Sequence, residues 1–233
     1  MVISYRFLVI AAIFITCLIT ANIIAVRLIT LGVGPWKLGG LELPAALPAA
    51  IIIFPLTYIF GDILTEVYGY RQARRVIWLG FLCNLIAVSA FWAAGRIPAL
   101  DTDVQAAYGL VFDYVPRILA ASFVAYLAGE FANSFVLAKM KIKTNGRFLW
   151  SRTIGSTIVG QGLDAAVFIA IAFGGVKTGA FLGSMIITHW LVKTLYEVAA
   201  TPFTYAVVNY LKKTERVDTY DYDTDFNPLL VTR

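Results

Sequence analysis

Histidine is almost missing from this sequence, and cysteine and methionine are scarce: its 233 residues include one His, two Cys and three Met. Cys17 and Cys83 each stand alone inside an apolar run, away from any Cys-x-x-Cys or Cys/His spacing. That excludes a metal or dithiol redox site, and no metal or cofactor is expected. Charge is scarce as well, at 14% of residues against 60% hydrophobic, with a mean hydropathy of +0.78. So little charge excludes an ordinary soluble domain, which could not hide that much apolar surface. No phosphate-cradling glycine loop occurs. The net charge of +5 could invite nucleic acid, but basic residues in such a chain first report membrane orientation, and nucleic-acid binding is not expected.

What remains is apolar sequence in long runs. A membrane-crossing helix needs about 20 largely apolar residues. Six segments qualify, at about 7–30, 47–68, 75–95, 117–138, 152–173 and 181–211. The first is longer than a signal-peptide core and lacks a small-residue cleavage site, so it is expected to remain as a span. Basic residues fall on alternate connections: Arg71, Arg74 and Arg75; then Lys139, Lys141, Lys143, Arg147 and Arg152; then Lys212, Lys213 and Arg216. The positive-inside rule then places both termini in the cytoplasm. The expected fold is an all-α membrane protein, a bundle of six transmembrane helices. Residues 1–211 form the membrane domain and 212–233 a short cytoplasmic tail.

Turn chemistry at Gly32-Val33-Gly34-Pro35 and Gly174-Gly175 should end helices there. Pro202 should kink or break the sixth segment. The mixed stretch 97–115 predicts a short surface helix.

Polar groups inside apolar segments carry the functional information, because an ionised side chain at the bilayer centre costs at least about 2.5–3.5 kcal/mol on insertion scales. His189, Lys193 and Glu197 are spaced i, i+4, i+8 and share one helix face, so Lys193 can pair with Glu197. Gln161 and Asp164 lie one turn apart, and Asp164 is about 18 Å along its helix from Arg152, near the midplane. Ser122, Tyr126, Glu130 and Asn133 form a stripe on the fourth segment, and Asn22 joins the ring from the first. Asn22, Tyr126, Glu130, Asn133, Gln161, Asp164, His189, Lys193 and Glu197 are therefore the candidate substrate-binding set. A structural reading competes for each, since polar side chains also tie helices together. Asp62 and Glu66, also i, i+4, lie nearer the basic side. They are expected to pair with Arg74, Arg75 or Arg152 as a gate or structural latch.

The run Phe54-Pro55-Leu56-Thr57-Tyr58-Ile59-Phe60-Gly61-Asp62-Ile63-Leu64-Thr65-Glu66-Val67-Tyr68-Gly69, followed by Ala73-Arg74-Arg75, resembles the queuosine precursor transporter family, also called the vitamin uptake transporter family. So do Ala121-Ser122 through Glu130-Phe131-Ala132-Asn133-Ser134, Arg152 through Asp164, Lys193 with Thr201-Pro202, and the tail from Tyr220 to Pro228. Some family members carry Gln and Asp where Glu130 and Asn133 stand. The resemblance implies a multi-pass inner-membrane protein of a bacterial or archaeal cell. It also implies import of 7-deazaguanines, namely 7-cyano-7-deazaguanine, 7-aminomethyl-7-deazaguanine or queuine, for tRNA modification. Such a cargo has donors at N1–H and the exocyclic amine and an acceptor at its carbonyl. Asp164 or Glu130 could accept from it, Lys193, Gln161 or Asn22 could donate to it, and Tyr126, Phe168 or Trp190 could stack on it.

Other classes are weighed against this. An intramembrane hydrolase would need Ser184 and His189 to meet, but on one helix they point about 140° apart. A channel fits a charged midplane cluster less well than a saturable site does. A substrate-binding subunit for a separate ATP-driven module stays open, since Ala21-x-x-x-Ala25 is the kind of surface that permits docking. The lipid bilayer and a small deazapurine are the expected partners, with a homodimer the default assembly.

Overall fold

In a computed structural model of the chain, the described residues are 4–25, 27–30, 36–38, 41–43, 46–112, 116–175 and 179–230. Seven α-helices follow in order: α1 Tyr5–Ile24, α2 Phe54–Tyr68, α3 Tyr70–Gly95, α4 Thr102–Phe112, α5 Pro116–Lys143, α6 Leu149–Phe173 and α7 Gly179–Glu215. Between α1 and α2 lie four three-residue strands and the 3-10 turn Ala49–Ile52. β1 Leu28–Thr30 pairs antiparallel with β4 Ala46–Pro48, and β2 Trp36–Leu38 pairs antiparallel with β3 Leu41–Leu43.

Each apolar segment of the sequence corresponds to one helix, and α4 answers to the short helix expected within 97–115. Three expectations are corrected. The first helix stops at Ile24, and Leu28–Thr30 forms a short strand pair in the connection that follows it. The second begins at Phe54, where Pro55 sits at a helix start that needs no amide donor from it. Pro202 does not break α7, which runs without interruption from Gly179 to Glu215; the Thr201 hydroxyl donates to the Glu197 carbonyl in the turn before it. Gly174 ends α6 as expected, whereas the Gly32–Pro35 turn lies outside the described residues.

Among the described residues α1, α3, residues 120–143 of α5 and residues 149–172 of α6 are long and apolar enough to cross a membrane. α2 has only 15 residues, about 22 Å of helix, and α7 carries Lys193 and Glu197 in its middle. The burial pattern suits lipid. α1 turns Phe7, Ile10, Ala11, Phe14, Leu18 and Ala21 inward and leaves Leu8, Val9 and Ile13 exposed, while α3 exposes Leu79, Leu82, Leu85 and Ile86. The centre instead holds polar residues, including Asp62, Glu66, Glu130, Asn133, Arg152 and Gln161. This inversion is what a bundle surrounded by hydrocarbon requires.

Small residues set the tightest helix approach. α5 and α6 pack most intimately, and a Cβ placed on Gly160 would come within 2.7 Å of the Asn133 Cβ and 2.9 Å of the Gly129 carbonyl oxygen. Both chain ends gather at one end of the bundle. Glu215, at the close of α7, accepts from Ser4 Oγ at 2.7 Å and from Tyr68 Oη at 2.8 Å. That end also holds the junctions α2–α3 and α5–α6 and carries most of the basic side chains.

Candidate functional site

A cavity of about 110 Å³ opens among five helices. α1 lines it with Leu18, Ala21, Asn22 and Ala25; the 3-10 turn and the start of α2 add Ala50, Ile51 and Phe54. α5 adds Ser122, Ala125 and Tyr126, α6 adds Asp164 and Phe168, and α7 adds His189 and Lys193. The walls are mostly apolar and aromatic, with a few polar groups converging, which is the usual constitution of a small-molecule site. The volume exceeds that needed for one water several times over.

One ion pair dominates the lining. Lys193 Nζ donates to Asp164 Oδ2 at 2.7 Å, and the same ammonium lies 4.1 Å from the centre of the Phe54 ring, within cation–π range. Both side chains keep a trace of exposure, 10% and 9%, so the pair faces the cavity rather than being sealed behind it. The expected pairing of Lys193 with Glu197 is corrected. The two share a helix face, but the lysine reaches across to α6, and neither Glu197 carboxylate oxygen has a hydrogen-bond partner among the described residues. Helical spacing shows who can meet on one helix and says nothing of a better partner on the next.

The nine proposed binding residues divide into two groups. Asn22, Tyr126, Asp164, His189 and Lys193 line the cavity. The Tyr126 hydroxyl is engaged by the Ile77 carbonyl at 2.9 Å, which leaves its ring for the cavity. Glu130, Asn133, Gln161 and Glu197 are not in the lining and sit buried outside it. Of the three rings considered for stacking, Tyr126 and Phe168 line the cavity. Trp190 does not; its indole N–H donates to the Ile158 carbonyl at 2.9 Å. Phe54 and Ser122 join the lining. Phe54 was missed as a contact because an aromatic beside a proline reads as a helix start, with nothing in the residue itself to mark a cavity wall.

At the basic end Glu66, fully buried, gathers three cations. Arg152 clasps it with Nη2 at 2.7 Å and Nε at 3.2 Å, Lys212 approaches to 2.6 Å and Lys141 to 3.7 Å. Arg152 also donates to the Arg147 carbonyl. Asp218 from the tail supplies a second anion, 2.5 Å from Lys141 and 2.9 Å from Lys212. Burial pushes the Asp218 carboxyl upward, but the two ammonium hydrogen bonds outweigh it, and the group titrates below the ordinary carboxylate range.

The other expected partners differ. Among the described residues Asp62 pairs with no arginine; its Oδ1 accepts from Asn133 Nδ2 at 2.6 Å. Arg74 instead holds the tail, donating to the carbonyls of Asp225 at 2.8 Å and Asn227 at 2.6 Å, and Arg75 is exposed beside Gln72. Arg74 and Arg75 stand on α3, beyond the Gly69 junction that separates it from the helix of Asp62. Lys141, Lys212 and Asp218 were legible only as loop or tail charges.

Apolar helices around a buried cavity into which a few polar side chains converge define a multi-pass membrane protein. Residues 48–207 match the family described as "Putative vitamin uptake transporter", and the chain belongs to that family of transporters, which are not enzymes. It is similar to a "Probable queuosine precursor transporter" of Bacillus subtilis, 27% identical over 71% of this chain and 73% of that one. A second similar protein, the "Queuosine precursor transporter" of Escherichia coli, is 25% identical over 66% of this chain and 63% of its own length. A Haemophilus influenzae protein called "Probable queuosine precursor transporter" is 26% identical over 52% of this chain and 50% of its own. No solved structure matches the chain.

Proposed function

We propose that this protein imports queuosine precursors, 7-deazaguanines, across the inner membrane of a prokaryotic cell, and that the cavity between α1, α5, α6 and α7 is where the cargo sits. The Lys193–Asp164 pair in the cavity wall carries the reading. A carboxylate accepts in pairs from an N1–H and exocyclic amine, and an ammonium 2.7 Å from it donates to the neighbouring carbonyl. The two together complement the hydrogen-bonding edge of a guanine-like ring. Cargo binding exchanges their mutual bond for bonds to the ligand, while Tyr126 or Phe168 offers an apolar ring face for stacking. The names of the similar proteins support the same cargo class.

In this proposal the chain crosses six times. α2, lengthened by the 3-10 turn before it, and α7 complete the count begun by α1, α3, α5 and α6. The concentration of basic side chains at the end where both termini gather supports a cytoplasmic location for that end. The Glu66 cluster then acts as the cytoplasmic closure beneath the cavity.

Uptake of 7-cyano-7-deazaguanine by cells unable to make it, followed as queuosine in their tRNA, tests the reading. Asp164→Ala and Lys193→Ala should each abolish uptake at unchanged expression. Wild-type uptake by both variants would remove the site.

A further inference from the structure

Three buried carboxylates outside the cavity lining carry five oxygens without a hydrogen-bond partner among the described residues: Oδ2 of Asp62 on α2, and both oxygens of Glu130 on α5 and of Glu197 on α7. None of the three residues is more than 1% exposed. Beside them lie an amide acceptor and a phenol hydroxyl. Asn133 is fully buried; its amide nitrogen is spent on Asp62, and its carbonyl Oδ1 has no donor. The Tyr58 hydroxyl, also without a partner, packs against Gly129, the residue before Glu130. A buried ionised carboxylate without enough donors is strongly unfavourable, and protonation both removes its charge and gives it an O–H to donate. Among the described residues no three His, Cys, Asp or Glu side chains converge closely enough to hold a metal ion. The ligand that fits this arrangement is a proton.

The position of the group gives that proton a route. Glu130 lies within electrostatic reach of Asp164 and Lys193, which line the cavity, and of Glu197, which does not. Its Oε2 packs against the backbone at Gly61, where a Cβ would come within 3.0 Å, immediately beside Asp62. Asp62 in turn faces Glu197, Glu130 and Glu66. Tyr58 borders Asp164, Glu130, Tyr126 and Asp62; Cys83 of α3 faces Tyr126, and His189 faces Lys193 and Asp164. α1 contributes the apolar Phe14 beside Gly61. Carboxylates thus run from the cavity wall at Asp164, through Glu130, to Asp62 and Glu197, and end at Glu66 among its cations.

We propose that Asp62, Glu130 and Glu197 form a proton-carrying site linking the cavity to the basic end, and that import is driven by a proton moving with the cargo. A carboxylate oxygen of the site takes up one proton from the cavity side and gives it up toward the basic end, so no electron or co-reactant takes part. This rests on the transport reading above for its cargo, but the proton site itself is independent of which molecule is carried.

Two measurements on the full chain in liposomes test it. Infrared titration should show the C=O stretch of a buried protonated carboxyl at neutral pH, diminished in Asp62→Asn; a wild-type spectrum with only ionised carboxylates at neutral pH would overturn the site. Wild-type vesicles with an alkaline interior should accumulate 7-cyano-7-deazaguanine at least tenfold over vesicles without a gradient. An inward sodium gradient should add nothing. Asp62→Asn should still exchange labelled for unlabelled cargo but lose the accumulation. Exchange that is intact in wild type yet indifferent to the pH gradient, or driven by sodium alone, would overturn the coupling. Absence of any exchange in wild type, with the carboxyl band present, would instead strike the cargo reading and leave the proton site supported.

Discussion

Lys193 and Asp164 are the residues on which the cavity chemistry turns, and a purely structural role can be separated from a binding role. Removing one member of a buried ion pair leaves the other uncompensated, at a cost of about 3–5 kcal/mol, whereas replacing both with apolar residues of similar size is often neutral or stabilising. Lys193→Met alone should therefore lower the unfolding temperature in detergent, and Lys193→Met with Asp164→Leu should restore it. If the pair grips cargo, the double variant stays transport-dead while regaining stability. Recovery of uptake together with stability would make the pair a mere brace. The costly charges themselves were legible, because ionisable residues stand out in apolar runs. Partner choice was not: Lys193 has Glu197 on its own helix at helical spacing, and only the packing of α6 against α7 brings Asp164 to 2.7 Å. The same limit explains Asp62, whose partner Asn133 is 71 residues away.

Helices were readable to the extent that they are long and apolar. All six hydrophobic segments fold as helices, while the strands at 28–30 and 46–48 were absorbed into neighbouring spans because a short apolar run has no period that separates strand from helix. Gly39-Gly40 between Trp36–Leu38 and Leu41–Leu43 was the available hairpin signal. Close helix contacts were less legible, since they depend on glycines meeting across two helices. Gly160→Ala should cost about 1–3 kcal/mol by overpacking, because its new methyl meets the Asn133 Cβ and the Gly129 backbone, which cannot swing aside. Gly175→Ala meets nothing within 4 Å, and its cost should come only from its positive φ. Thermal unfolding in detergent distinguishes them: Gly160→Ala should also disturb the Asn133–Asp62 bond and hence the pH-driven accumulation of cargo, whereas Gly175→Ala should spare it. The start of α3 gives a second check. Its Tyr70 amide is capped from outside the helix by Asp221 Oδ2 at 3.0 Å, so Asp221→Ala should lose about 0.5–2 kcal/mol, as cap removal does.

Across the molecule, the tail binds the ends of the bundle together. The Thr219 amide donates to the Val67 carbonyl, Lys141 donates to the Thr219 carbonyl, Arg74 holds Asp225 and Asn227, and Trp78 donates to the Pro228 carbonyl. Gly69, at φ 84°, is where α2 passes into α3, and a Cβ there would strike Thr219 at 2.7 Å, so the tail lies directly on that junction. Composition alone marks residues 212–233 as a short cytoplasmic tail; the tertiary contacts pack its described part onto the helix ends. Asp218 joins tail to closure through Lys141 and Lys212, and its carboxyl titrates below the ordinary range. A group whose folded value is depressed adds stability above its unfolded value, about 3.9 for aspartate, and loses it as pH falls through the folded value. Wild type should therefore exceed Asp218→Asn in unfolding temperature by a constant margin above about pH 5, with the margin shrinking below about pH 4. Equal unfolding temperatures for the two proteins across that pH range would mean that the tail is held by its backbone contacts and that the Asp218 bridges to α5 and α7 contribute nothing.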